Sequence, residues 1–229
     1  MHARRSGDAR ALVLILRQQA AAAANLHNDY ARAEPLAREC LQLQQTLHDP
    51  LQICYRQGDL AACWLYTGRA EAAAALMENA LLECRRQEPS VAQAYVLLQL
   101  GRIRLALSQP QPAELALRET VALSLHHDWP IMLIPALCHL PEAWVCQALT
   151  QPERHPGLAA RAAQLQGYAA HARQLQFGKI NPIESREAKR AWRLICRVLG
   201  AQQAQALRLA GSQLSLQQAM ALLEPQPQA

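Results

Sequence analysis

Four local groupings in the sequence hold side chains that could do chemistry. Cys138-His139, with Cys146 eight residues on, offers soft and borderline metal donors. On a helix these two cysteines stand about 80° apart and could share a face. Their spacing fits none of the usual zinc pairs, so they read as thiols packed between helices. His126-His127-Asp128 could be read as catalytic, but it falls at a helix C-terminus, where imidazoles suit the helix dipole without any reaction to perform. Cys84-Arg85-Arg86 could hold a thiolate beside cations, yet a helix C-terminus opposes negative charge and the arginines read as surface residues. Trp64, Trp129, Trp144 and Trp192 could form a stacking surface; at helical spacing they read as packing between helices. The phosphate-loop, Gly-x-Ser-x-Gly and His-Glu-x-x-His patterns are absent, and only nine glycines are scattered along the chain. The expectation is therefore a protein without catalytic residues, metal ligands or cofactor.

The elements that would position any site are helices. Of the 229 residues 51% are hydrophobic but only 4% aromatic, so the apolar content is largely Ala and Leu, which favour helix over strand. The net charge is +5, carried almost entirely by Arg, with two Lys (Lys179, Lys189) and a modest excess over Arg186–Arg197. That charge is not gathered with aromatics or on a reading helix, which argues against direct nucleic-acid binding. Seven cysteines without a Cys-x-x-Cys pair read as reduced, mostly buried thiols. No signal peptide and no run of 18 apolar residues is evident, so the expectation is a cytoplasmic protein with no membrane-spanning helix.

A repeat of 40 residues orders the helices. Asn28, Gly68 and Ser108 stand 40 apart at turn positions, each followed five residues later by Ala33, Ala73 or Ala113. Leu41, Leu81 and Val121 follow at a common offset, and Ala21, Ala61 and Gly101 precede the turns. Each unit is a helix–turn–helix pair whose small residues allow close approach and whose Leu, Met and Trp fill the space between units. The units run over 8–49, 50–89, 90–129 and 130–177, giving an all-α, right-handed solenoid of about four long hairpins. In unit 4, Pro141 predicts a bend or break near Leu140. A C-terminal helical cap is expected over 178–224, with Pro182 opening one helix, Gly200 closing it, a short helix from Ala201 to Leu209, and Ser215 capping a last helix. Residues 225–229 read as a disordered tail.

These offsets resemble the tetratricopeptide (TPR) repeat, through Ala61, Trp64, Gly68, Ala73 and Ala80 in unit 2 and Leu100-Gly101, Ala113 and Pro130 in unit 3. The period exceeds that repeat's usual length of about 34 residues. Such long repeats are similar to the C-terminal regions of bacterial MalT-like and LuxR-type regulators and related signalling ATPases. Gly167, Gly200, Gly211, Leu214, Ser215, Ala219 and Leu222-Leu223 resemble the closing motif of those proteins.

The resemblance implies that the first helix of successive units lines a concave groove. By register the groove residues are Gln18, Ala22 and Asn25, then Tyr55, Gly58 and Ala62, then Tyr95, Leu98 and Arg102. The tyrosines would anchor an extended segment or helix and Arg102 would meet a carboxylate. The function expected is a non-catalytic protein–protein interaction or regulatory module, the sensor or scaffold part of a bacterial signalling or transcriptional regulator. Its partner would be a protein or peptide, including an ATPase or DNA-binding module encoded upstream. A free-standing adaptor that homodimerises through an open first unit is the alternative, with DNA or small-molecule binding a third reading.

Overall fold

The computed structural model describes residues 8–153, 157–178 and 182–224; the tail expected over 225–229 lies outside the described residues. Among them the chain is all-helical, with eleven α-helices. α1 (Ala9–Ala21) runs on through a π-helical turn (Ala22–Leu26) and packs against α2 (Tyr30–Thr46). α3 (Pro50–Tyr66) then packs with α4 (Ala70–Cys84), α5 (Val91–Ala106) with α6 (Pro110–His126), and α7 (Pro130–Thr150) with α8 (Leu158–Phe177). Three helices follow: α9 (Pro182–Leu199), α10 (Ala201–Gly211) and α11 (Leu216–Ala221).

Local chemistry sets the ends of these helices. Asp8, Asp29, Asp49 and Ser90 accept hydrogen bonds from first-turn backbone N–H groups, which would otherwise lack partners. Pro50, Pro110 and Pro130 occupy first-turn positions, where a missing N–H costs nothing. Asn28, Gly68 and Ser108 take left-handed φ values of 54°, 83° and 57°, which reverse the chain inside each hairpin. His48 and Asp128, 80 residues apart, make the same reversal between units, at 53° and 55°. Beyond each turn Ala33, Ala73 and Ala113 are fully buried. A Cβ on Gly101 would lie 2.7 Å from the Leu117 side chain, so the small residues do set how closely the paired helices approach.

α7 corrects one part of the sequence reading, the break. Pro135 and Pro141 both lie inside a continuous 21-residue helix, with no break near Leu140. A mid-helix proline costs about 3 kcal/mol when the helix stands alone. Here α7 is held between α6 and α8, and Leu137, Leu140, Ala143, Trp144 and Val145 are fully buried, so packing outweighs the lost hydrogen bond. α7 is also long and apolar enough to cross a membrane by composition alone, but most of it is buried within the protein, as suits a core helix.

A second period lies over the first. Trp64 Nε1 donates to Glu34 Oε1 at 3.1 Å, and Trp144 Nε1 donates to Glu114 Oε1 at 2.8 Å. Both members recur after 80 residues, as do Arg38 and Arg118, each paired with its own glutamate one turn earlier. In the unit between, Arg104 stands at the Trp register and pairs with Glu78 instead. Trp144→Phe keeps the ring but removes the donor, leaving Glu114 with Arg118 and Gln147. The expected loss is about 1–2 kcal/mol, read as a lower urea midpoint at unchanged slope.

At the C-terminal end α10 packs along α8 through two glycines. A Cβ on Gly167 would lie 2.0 Å from the Arg208 carbonyl oxygen, and one on Gly211 would lie 2.0 Å from the Gln164 carbonyl oxygen. α10 therefore serves as the closing layer. α9 does something the sequence did not suggest: it lies across the concave side of the hairpins.

Candidate functional site

Helices α1, α3 and α5 line a cleft of about 550 Å³ on the concave side. Five of the residues expected in the groove are there as open wall: Gln18 and Asn25 from the first unit, Ala62, and the Tyr55 and Tyr95 rings, which pack on each other 5.2 Å apart. Tyr95 also covers Gly58, whose absent side chain makes room for the ring: a Cβ there would lie 2.3 Å from Tyr95 Cε1. Leu98 is a correction. It is 6% exposed and belongs to the core, because the side of α5 that carries it is covered by neighbouring helices. Ala22 is likewise displaced, lining a different hollow with His27 and Arg32.

Arg102 lies in the cleft wall and does meet a carboxylate, but one from the same chain. Its NH2 lies 3.2 Å from Glu187 Oε1 and 2.5 Å from the Tyr66 hydroxyl, and that hydroxyl donates to the same Glu187 oxygen. Further along α9, Arg190 pairs with Glu142 of α7 at 2.6 Å, and Arg186 reaches Asn28 in the first unit at 2.5 Å. The C-terminal segment therefore occupies the groove over unit 4 and part of units 2 and 3. The open portion lies over units 1 to 3.

Sequence reasoning missed the polar floor of the cleft. The Arg56 guanidinium is 5% exposed, with NH1 2.8 Å from Asp59 Oδ2, while the Tyr95 hydroxyl donates to Asp59 Oδ1 at 3.1 Å. Asp59, Gln99 and His139 stand 40 residues apart, one per unit on the same face. That polar series was the signal available in the sequence.

Two titrating groups mark the place where α9 crosses. Burial by itself would raise the Glu187 carboxyl; the Arg102 guanidinium and the Tyr66 hydrogen bond outweigh that and hold it at about 2. Burial lowers His139 to about 4, against a smaller opposing pull from Glu187, with Arg102 and Arg190 adding to the fall. His139 is thus neutral in the fold at pH 7. Below its ordinary 6.5 the unfolded chain takes up a proton that the folded chain refuses down to about 4. Stability should therefore fall by about 2–4 kcal/mol as pH drops through that window. His139→Gln should flatten the slope there, measured by urea unfolding between pH 7 and 4.

The groupings singled out by sequence are scattered. Cys138 and Cys146 belong to no cluster of three or more metal-type donors among the described residues. Cys84 points inward, its Sγ 3.1 Å from that of Cys54, while Arg85 and Arg86 face outward to Glu119 and Glu83. His127 stacks on Trp129, its ring 4.5 Å away.

No family model and no curated protein matches the sequence. Solved structures do match the fold. One is BtubC (BKLC) from P. vanneervenii, at TM-score 0.61 and 20% identity over 100% of this chain and 90% of that one. Another is a Podospora anserina protein of the kinesin light chain type with nearly identical TPR-like repeats, at TM-score 0.56 and 17% identity over 93% of both chains. The chain therefore has a TPR-like helical repeat fold.

Proposed function

We propose that this chain is a non-catalytic protein-interaction scaffold that takes an extended segment or helix of a partner in the open part of its concave cleft. One observation carries the reading: Gln18, Asn25, Tyr55 and Tyr95 bring amide and phenol groups to one open cleft, which α9 borders through Glu184. Amides suit a peptide backbone and the tyrosines suit its apolar side chains, on a scaffold that is already ordered before binding. TPR-like neighbours support the scaffold reading through the fold alone. On the resemblance of the closing motif, the setting is a bacterial, cytoplasmic signalling or transcriptional regulator whose ATPase or DNA-binding module is the partner. In that reading residues 1–177 hold the repeats, the first unit beginning at about 8, and 178–224 the closing segment.

The test is capture from the native host with tagged protein. A stoichiometric partner retained by wild type and by Leu115→Ser, on the exposed side of α6, should be lost with Tyr55→Ala plus Gln18→Ala. A partner that survives the double substitution binds elsewhere and overturns the cleft reading. Homodimerisation is the second reading, favoured by Leu14 and Ile15, which stand 48% and 41% exposed on α1. A mass that rises with concentration and is abolished by Ile15→Glu would establish it.

A further inference from the structure

Two cysteines meet inside unit 2. Cys54 lies near the start of α3 and Cys84 closes α4, and their sulfurs stand 3.1 Å apart. A disulfide bond measures about 2.05 Å, so an approach of about 1 Å would join them. Cys40 and Cys138 are placed differently: their sulfurs face the Val13 and Ala169 carbonyls, at 3.6 and 3.8 Å.

The contact also sets the two thiols apart chemically. The Cys84 thiol donates to the Cys54 sulfur and holds Cys54 below its ordinary 9.0, against the pull of burial. The same bond, with burial, pushes Cys84 up. Burial raises Cys40, Cys63, Cys138 and Cys146 as well, whereas at Cys54 the thiolate, the reactive form, is favoured.

Both cysteines are buried, in the apolar cluster that holds Met77, Ala80 and Val96. Access comes from the end of a helix. Cys84 is the last residue of α4 and residues 85–89 beyond it are exposed. Helix ends open locally at far lower cost than the whole protein unfolds, so loosening the last turn of α4 uncovers the pair.

We propose that Cys54 and Cys84 form a redox-active dithiol, which a low-molecular-weight peroxide converts into a disulfide across unit 2 and a thiol reductant restores. The Cys54 thiolate attacks one peroxide oxygen, the O–O bond breaks, and the departing oxygen takes up a proton and leaves as water. Cys54 is then a sulfenic acid. The Cys84 sulfur attacks the Cys54 sulfur, the S–O bond breaks, and the hydroxyl leaves as water with the Cys84 proton. The thiol pair gives up two electrons, and the peroxide is reduced to two molecules of water. A dithiol reductant returns two electrons and two protons by exchange. The bond ties together the ends of α3 and α4 that their own turn does not join. It involves no partner in the cleft, so this inference stands whether or not the scaffold reading does.

The test treats the full chain with dilute hydrogen peroxide, alkylates it in denaturant and maps its peptides without reduction. The seven free thiols should fall by two, with the Cys54 and Cys84 peptides joined within one chain. The urea midpoint should rise, because the cross-link restricts the unfolded chain, and should return on adding dithiothreitol. Cys84→Ala, which keeps a small apolar side chain in the core, should remain folded by circular dichroism and show no such rise. All seven thiols still free, a linkage between another pair of cysteines in its place, or a reversible rise that persists in folded Cys84→Ala would each overturn the assignment. The mapping needs wild type alone, so it decides the matter even where the variant does not fold.

Discussion

Gly167→Ala should cost about 3 kcal/mol, the largest effect expected from adding one methyl group to this protein. The new Cβ would sit 2.0 Å from the Arg208 carbonyl oxygen, with the carbonyl carbon and the Ser212 nitrogen within 3.0 Å. All three are backbone atoms, so no rotamer change can clear the space. α10 has to move bodily away from α8. Gly211→Ala should behave the same way, since its Cβ would meet the Gln164 backbone at 2.0 Å. Gly68→Ala is the comparison: nothing lies within 4 Å of its Cβ, and only the left-handed φ of 83° opposes it, at about 1 kcal/mol. Urea unfolding ranks the three. Trp192 fluorescence reports the displacement directly, because Arg208 of α10 lies over its ring at 4.8 Å. A Gly167→Ala protein with the Gly68→Ala midpoint would show that α8 and α10 do not touch backbone to backbone.

Arg102→Met should cost about 3–5 kcal/mol, because it strands Glu187 in a buried site with one oxygen already lacking a partner. Arg102→Met combined with Glu187→Leu should recover most of that loss, since two apolar side chains leave no charge behind. The pair also has an acid signature. Glu187 titrates at about 2 in the fold, below its ordinary 4.5, so its contribution is complete above 4.5 and disappears as pH falls from there towards 2. That window lies below the one set by His139, and the Glu187→Leu background should remove it while leaving the upper window in place. Equal acid sensitivity in wild type and the double variant would remove Glu187 from the account.

Much of the scaffold was legible in the sequence because it is encoded locally. Turn residues at 28, 68 and 108 require left-handed backbone, the Ala residues behind them require close approach, and Leu158–Phe177 and the opening of α9 at Pro182 fall where expected. Pro141 does not break α7, because local propensity ignores what packs on both sides of that helix. Of the proposed groove residues, Gln18, Asn25, Tyr55, Ala62 and Tyr95 reach the open cleft by register alone. Leu98 and Arg102 could not be placed that way. One is covered by neighbouring helices, and the other is bound by a residue 85 positions away. Register along a repeat reports which side of a helix faces inward; it carries no information about a later segment folding back over it.

That fold-back changes what kind of chain this is. A plain solenoid is held by contacts between adjacent units, and such a chain can fray from either end or lose a unit without the rest responding. The Arg186–Asn28 hydrogen bond joins positions 158 residues apart, and Glu187 reaches helices of units 2 and 3 from beyond unit 4. The chain is thereby closed from a row into a loop. Its first units acquire contacts of high sequence separation, which form late in folding because closing a long loop has to precede them. During synthesis, Tyr66 and Arg102 of units 2 and 3 emerge without the carboxylate that answers them and acquire it only when α9 leaves the ribosome.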